Sequence, residues 1–439
     1  MDTVLKTLFK HFSWNAVATL SYQGSTFISN FLVIRLLDHA SYGKYSLINL
    51  TAFYAANILQ FAVGSTSSKF VARYTDDPDR LRAAIWICGV FTLASGLVGC
   101  GILALASGLL ARSVFVEPSL AWPVAIVSLS VPSQIGIVFL GGLLQGFHGF
   151  RPYAVASMIS GALFVAIVAA GAWTGDLTYT IWAFVAGSAV RAVILAWAAL
   201  LALGDKRIGT RCPWGKTLRK LAREISKFQI PAGLAGFVTL PTLWLIPTIL
   251  TRDTQNFSEV AVYSVLFMLK SLVVLPASVT SLALQPSAEK ACAAGQFDLA
   301  LRVFRISTLS AFGIAAAAAI LFAVFANHVL TFFGPRFAVA SFELQLMMIA
   351  AVAEAVAVSF NMRIQAASRM WASIFATLLP RDLTMLAIVI AFTTKYGLLA
   401  AVVAHVAGAI VNLGATYWLS VRSTNLSAYR IAEPAIGES

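Results

Sequence analysis

The sequence predicts an all-α polytopic membrane protein with twelve transmembrane helices, and three features point there. Of its 439 residues, 59% are hydrophobic and 11% charged, with a mean hydropathy of +0.84; a soluble domain carries about 25% charged residues. Apolar stretches of about 20 residues, the length that crosses a bilayer as a helix, recur along the whole chain. Lys and Arg stand between these stretches as punctuation, the pattern by which a polytopic protein records its orientation. A net charge of +13 would also suit nucleic acid, but such binders gather their charge on one face, so nucleic acid is excluded as a partner.

The spans fall near 13–36, 43–67, 84–106, 120–145, 153–173, 178–202, 229–250, 259–283, 307–332, 341–362, 369–393 and 397–420. Before the first, "MDTVLKTLFKHFSWN" sets Leu5, Leu8, Phe9 and Phe12 at helical spacing with Lys6 and Lys10 between them, which predicts an interfacial amphipathic helix. No small-residue cleavage site follows a short apolar core, so the first span is expected to be retained. With the N-terminus inside, the inside segments hold 22 Lys and Arg and the outside segments six. That split places both termini in the cytoplasm. The other three cations, Arg191, Lys270 and Arg381, lie within spans.

This predicts a bundle over 1–203, a cytoplasmic basic linker over 204–228, a second bundle over 229–425 and a cytoplasmic tail over 426–439. The linker carries eight cations between residues 206 and 227. It reads either as a topology anchor or as a surface for anionic headgroups, at ~1 kcal/mol per charge near the membrane. The halves repeat: Tyr45-Ser46 aligns with Tyr263-Ser264 at an offset of 218, Asp79 with Asp298 at 219, and Arg35 falls beside Arg252. Two six-span halves of equal orientation make a parallel repeat, related by a pseudo-two-fold along the membrane normal, with a binding site expected between them. Cys88 and Cys100 are about 18 Å apart on one helix and cannot pair. The four Cys and five His show no metal-ligand spacing, and no cofactor is expected.

Charges at depth are the candidate site. One placed there costs roughly 2.5–3.5 kcal/mol on insertion scales and marks a pathway by default. "LLPRDLTML" sets Pro380, Arg381 and Asp382 about halfway along a span. Neighbours at i and i+1 point about 100° apart on a helix, so Arg381 and Asp382 are not expected to pair directly; Pro380 is expected to kink the helix. Lys270, in "VLFMLKSLVVLPASV", suits a phosphate as a mobile point charge; the competing reading is an ion pair with Glu354 or Asp382. Pro276 is expected to break that helix. Glu354, His405 and Asp382 are candidates for a buried network or for proton coupling. Arg35, Lys69 and Arg73 lie at helix ends, where anchoring competes with substrate contact. Arg191, among small residues, reads as scaffold. Asn30, Asn57, Gln134 and Asn361 could bond sugars or neighbouring helices. The buried cations have no counterpart in the other half: Arg381 maps near Ala162 and Lys270 near Thr51.

The stretch "FLVIRLLDHASYGKYSLI" (31–48), followed by "SSKFVARYTDDPDRLRAAI" (67–85) and "LQPSAEKACAAGQFDLALRVFR" (284–305), resembles the polysaccharide-transporter, O-antigen flippase-like branch of the multidrug/oligosaccharidyl-lipid/polysaccharide flippase superfamily. The carrying pattern is arginine-leucine-leucine, then acidic-x-x-(Tyr/Phe)-Gly-x-Tyr, and the resemblance spans essentially the whole chain. Where that branch usually has glycine after the leucines, this chain has Asp38. The resemblance implies a V-shaped pair of six-helix bundles around a central cationic cavity in a bacterial inner-membrane protein. That cavity would bind the pyrophosphate and sugars of a polyprenyl-linked oligosaccharide and pass the headgroup by alternating access. It further places Lys270 and Arg35 at that cavity; Arg381, Lys69 and Arg73 join them as candidate substrate contacts on their charge and position, while proton or sodium coupling and polymerase or assembly partners are left open by the sequence. Two other classes compete. An organic-cation exporter of the same superfamily needs acids and aromatics at depth, whereas the set here is Lys270, Arg381 and Arg191 against Asp382 and Glu354. A membrane enzyme needs a soluble domain or an acid-bearing loop; none is evident, and no catalysis is expected.

Overall fold

The computed structural model describes residues 2–147, 149–205, 216–293, 296–366 and 370–423, which are helical apart from short turns and contain no strand. The all-α polytopic class expected from composition is the one observed. The chain divides into two compact units, residues 1–261 and 262–439.

In the first unit, α1 (Asp2–Leu36), α2 (His39–Leu59), α3 (Val63–Arg73), α4 (Pro78–Leu109), α5 (Ala121–Ser128), α6 (Ser130–Gly146), α7 (Phe150–Ala172), α8 (Leu177–Asp205) and α9 (Lys216–Thr254) follow in order. Helix α7 packs between α1 and α8, and α6 lies against α3, α4 and α8. Two turns have a clear local cause. Asp38 sits in extended backbone (φ −67°, ψ 162°) and accepts from the N–H groups of Ala40 and Ser41, both at 3.0 Å. It is the N-cap of α2, so the connection needs no left-handed glycine. Asp77 caps α4 at the Arg80 N–H, with Pro78 opening the helix.

The second span is broken. Between α2 and α3, Phe61 (φ 41°) and Ala62 (φ 55°) are left-handed, a region that costs a side-chain-bearing residue about 1–3 kcal/mol. Beside that break α6 meets α3 backbone to backbone: a Cβ at Gly142 would overlap the Gly64 carbonyl and Ser67 Oγ, and one at Gly146 would lie 2.9 Å from the Ser68 carbonyl oxygen. Two small residues four apart permit this approach, and Ser67 Oγ donates to the Phe139 carbonyl across it (3.3 Å).

In the second unit, α10 (Phe257–Ala293), whose first turn belongs to the preceding unit, is followed by α11 (Phe297–Val324), α12 (Ala326–Phe333), α13 (Ser341–Ala366), α14 (Met370–Ser373), α15 (Leu379–Tyr396) and α16 (Leu398–Ser423). Helix α16 packs against both α13 and α15, and α13 against α11. A π-helical turn, Ile374–Leu378, joins α14 to α15 and places Pro380 in the first turn of α15. There its missing N–H costs little; the irregularity precedes Pro380. Pro276 does not break its helix: α10 runs through it, as spanning helices tolerate when neighbouring groups re-satisfy the freed backbone.

Among the described residues ten helical stretches are long and apolar enough to cross a membrane. They match expected spans two to six and eight to twelve. Helices α1 and α9 occupy the first and seventh places and are more polar; α1 carries Ser21, Gln23, Ser25, Thr26, Ser29 and Asn30 in mid-course. Outward faces are apolar, as lipid demands: on α4, Leu93, Leu97 and Leu109 are exposed and Leu105 is 89% exposed. Side chains of the expected interfacial helix, residues 2–13, lie outside the described set, as do residues 206–215 of the expected linker and the tail over 426–439. Residues 216–228 of that linker form the first turns of α9, which packs on α2, α3 and α4 with Leu221 and Ile225 buried.

Candidate functional site

The second unit gathers a buried polar network from three helices. Lys270 on α10, 5% exposed, places Nζ 2.6 Å from Glu354 Oε2 on α13 and 3.4 Å from His405 Nδ1 on α16. The same ammonium lies 5.2 Å from the centre of the Phe267 ring. His405 Nε2 stands 2.9 Å from Tyr263 Oη. An ammonium only donates, so Nδ1 accepts from Lys270 and Nε2–H donates to Tyr263. Lys270 and Tyr263 are seven residues apart, two helical turns, and share a face of α10. The network thus runs Glu354–Lys270–His405–Tyr263. Of its members only Tyr263 escaped attention as a functional residue. The repeat had marked the position, but its partner stands 142 residues away.

Arg381 and Asp382 contradict the expectation that they would not pair. Arg381 Nε donates to Asp382 Oδ1 at 2.7 Å, and Nη2 reaches the same oxygen at 2.7 Å. The Cβ vectors diverge, but an arginine stem is long enough to fold back along its own helix. Its path is set by α16: a Cβ at Gly408 would lie 3.4 Å from Arg381 Cγ and would overlap Met385.

The other predicted residues belong to the first unit. Lys69 on α3 helps line a cavity of about 660 Å³, and its ammonium sits 3.8 Å from the Phe228 ring centre. Arg73, exposed in the last turn of α3, pairs with Glu224 of α9 at 2.8 Å, and Tyr74 Oη donates to the other oxygen of that carboxylate (3.1 Å). Arg35 is exposed in the last turn of α1 beside the Phe31 ring (5.8 Å). Arg191, which read as scaffold, is 4% exposed. It lies between the rings of Phe164 (4.1 Å) and Tyr22 (4.7 Å) and donates from Nη2 to Ser25 Oγ (2.7 Å). Its Nε has no hydrogen-bond partner, and no carboxylate pairs with it among the described residues. Asn57 and Gln134, singled out in the sequence, line the same cavity as Lys69. No group of three or more His, Cys, Asp or Glu among the described residues is placed to hold a metal ion.

Comparison with known proteins places the chain. The family model described as polysaccharide biosynthesis protein matches residues 8–287, more than half of the sequence. The chain is 23% identical over 357 residues to the EPS I polysaccharide export inner membrane protein EpsE of Ralstonia nicotianae, covering 81% of this chain and 80% of that one. An inward-facing multidrug resistance MATE family transporter of the MOP superfamily matches with a TM-score of 0.75 at 15% identity, over 96% of this chain and all of that one. The eukaryotic MATE transporter AtDTX14 matches with a TM-score of 0.71 at 11% identity, over 97% and 99% of the two chains. The chain therefore belongs to the polysaccharide biosynthesis protein family, the polysaccharide-transporter branch that its sequence resembles, and carries the fold of the solved MOP-superfamily transporters.

Proposed function

We propose that the protein moves a polyprenyl-pyrophosphate-linked oligosaccharide, a repeat unit of O-antigen, capsule or exopolysaccharide, across the bacterial inner membrane by alternating access, with both termini cytoplasmic. The observation that carries the proposal is the charge left over at membrane depth. The two mid-span carboxylates are each engaged by a cation of the chain, Glu354 by Lys270 and Asp382 by Arg381. Arg191 remains without a carboxylate among the described residues. A chain with its acids occupied and a cation to spare suits an anionic cargo and gives an organic cation little to bind. The polysaccharide family and an export relative support the same direction.

On this reading Lys270 meets the pyrophosphate only by exchanging Glu354 for it, so substrate binding and the state of that carboxylate are linked. Proton or sodium coupling through Glu354, His405 and Asp382 belongs to the same proposal, as do substrate contacts at Arg381, Arg35, Lys69 and Arg73 and cooperation with a polymerase.

The test is lipid analysis of a strain lacking the protein. Mass spectrometry of its membranes should find a polyprenyl-pyrophosphate oligosaccharide that accumulates and resists a periplasmic glycan-modifying enzyme. The fold shared with multidrug transporters supplies the second reading, an organic-cation exporter. It gains if no such lipid accumulates and the strain becomes sensitive to organic cations.

A further inference from the structure

The cavity of the first unit carries a chemistry distinct from that of the charged network. Its volume is about 660 Å³, and its polar lining is dominated by carboxamides: Gln23, Asn57, Gln60, Gln134 and Gln145, with Tyr153 beside them. A carboxamide both donates and accepts, as a sugar hydroxyl does, so the two match without any net charge. Several amides here are already oriented. Asn57 Nδ2 donates to the Phe53 carbonyl (2.8 Å), and Gln60 Nε2 donates to Asn57 Oδ1 (2.8 Å). Gln134 Nε2 donates to Ser130 Oγ (2.9 Å). These bonds fix the planes of Gln60 and Gln134 with their carbonyl oxygens still available, so little ordering is left for a ligand to impose.

Two further observations point to a ligand rather than to helix glue. Gln60 and Gly64 line the cavity on either side of the left-handed break at Phe61–Ala62, and interrupted spanning helices are where transporters form their sites. Among the described residues the lining also contains one cation, Lys69, and no carboxylate. Behind the wall, Tyr22 both lines the cavity and faces the buried Arg191 at 4.7 Å, so a second positive charge acts through a medium of low dielectric.

We propose that this cavity binds the sugar residues of the cargo, with hydroxyls on the Asn57–Gln60 pair and on Gln134 and the phosphate-bearing end toward Lys69. The proposal rests on the flippase reading and assigns to the first unit the recognition of the glycan.

Purified full-length protein is titrated with three preparations: the glycolipid fraction that accumulates in the deletion strain, the oligosaccharide released from it by mild acid, and undecaprenyl pyrophosphate without sugar. Gln60→Leu and Gln134→Leu should each weaken the glycolipid and the free oligosaccharide on the order of tenfold, the worth of one buried hydrogen bond, and leave undecaprenyl pyrophosphate unchanged. Lys69→Gln should weaken the two phosphate-bearing preparations and spare the oligosaccharide. Gln134→Asn keeps the amide but withdraws it by one methylene; it must also lose glycolipid affinity, and it replaces the Leu form if that form does not fold. Unchanged glycolipid affinity in the glutamine variants overturns the cavity assignment alone. A wild-type protein that binds none of the three overturns the flippase reading with it.

Discussion

Lys270 Nζ stands 2.6 Å from Glu354 Oε2, with the lysine side chain 6% exposed and the glutamate 31%. The pair is therefore unequal. The carboxylate is the less enclosed partner, while the ammonium depends on Glu354, the His405 ring nitrogen and the Phe267 face.

That inequality orders three variants. Glu354→Gln strands a buried ammonium and should cost about 3–5 kcal/mol, the range for breaking a buried pair from one side. Lys270→Met leaves the less enclosed partner, a carboxylate that can also take up a proton, and should cost less. The double variant should recover most of the loss. Thermal unfolding in detergent reads the order, and a double variant no better than Glu354→Gln would refute it. Surface glycan should be absent in all three.

Gly408 is the position that lets Arg381 and Met385 pass α16. Gly408→Ala places a methyl onto Met385 and against Arg381 Cγ and should cost about 1–3 kcal/mol as overpacking. Folded yield after solubilisation is the simplest measure. Gly414, with open space around its Cβ position, is the control: alanine there should be neutral or stabilising, being the better helix former, and an equal loss at both positions would refute the steric account of Gly408.

At Ala62 (φ 55°, ψ 30°) the chain is left-handed without a glycine. Ala62→Gly should raise the unfolding temperature by relieving about 1 kcal/mol of strain, whereas Ala62→Val should lower it, since branching at Cβ worsens the same clash. If the glycine variant is the less stable, the break does not hold this conformation in the membrane.

Asp38 gives a pH dependence. The Ser41 hydroxyl, and then the Ser41 and Ala40 N–H groups, hold its carboxyl below the usual carboxylate range. A depressed value stabilises the fold above the unfolded-chain pKa, about 3.9, and that contribution is lost as pH falls through the folded value. Wild type should therefore exceed Asp38→Asn by an amount that stays constant between pH 5 and 8, and that gap should shrink only below about pH 4. Asp38→Ala should lose about 1 kcal/mol at neutral pH. Unfolding curves at pH 7 and pH 3.5 decide it.

The spans were legible because an apolar run of bilayer length has few alternatives. The amphipathic turns opening α9 were not, since eight cations in 206–227 dominate the composition and mask Leu221 and Ile225. The break at Phe61–Ala62 was equally hidden: "ILQFAVGS" places no proline or glycine where the chain turns left-handed. The candidate residues were legible as types but not as partners. Lys270, Glu354 and His405 could be singled out as ionisable groups at depth, yet their meeting is set by helices far apart in sequence. Likewise Asn57 and Gln134 looked the same as any amide that bridges helices. Only the fold puts them on one cavity with Gln60.

The contact of Gly142 with the Gly64 carbonyl makes part of the cavity wall out of main chain. Such a wall cannot drift by side-chain substitution, because any Cβ there drives two helices apart. The amide positions around it carry no such restriction and can be exchanged among Asn, Gln, Ser and Thr without moving the backbone. A lineage that changes its surface sugars can thus rewrite the vocabulary of the cavity while its grammar stays fixed, and relatives adapted to different glycans should differ first at 57, 60 and 134 and keep small residues at 64, 142 and 146.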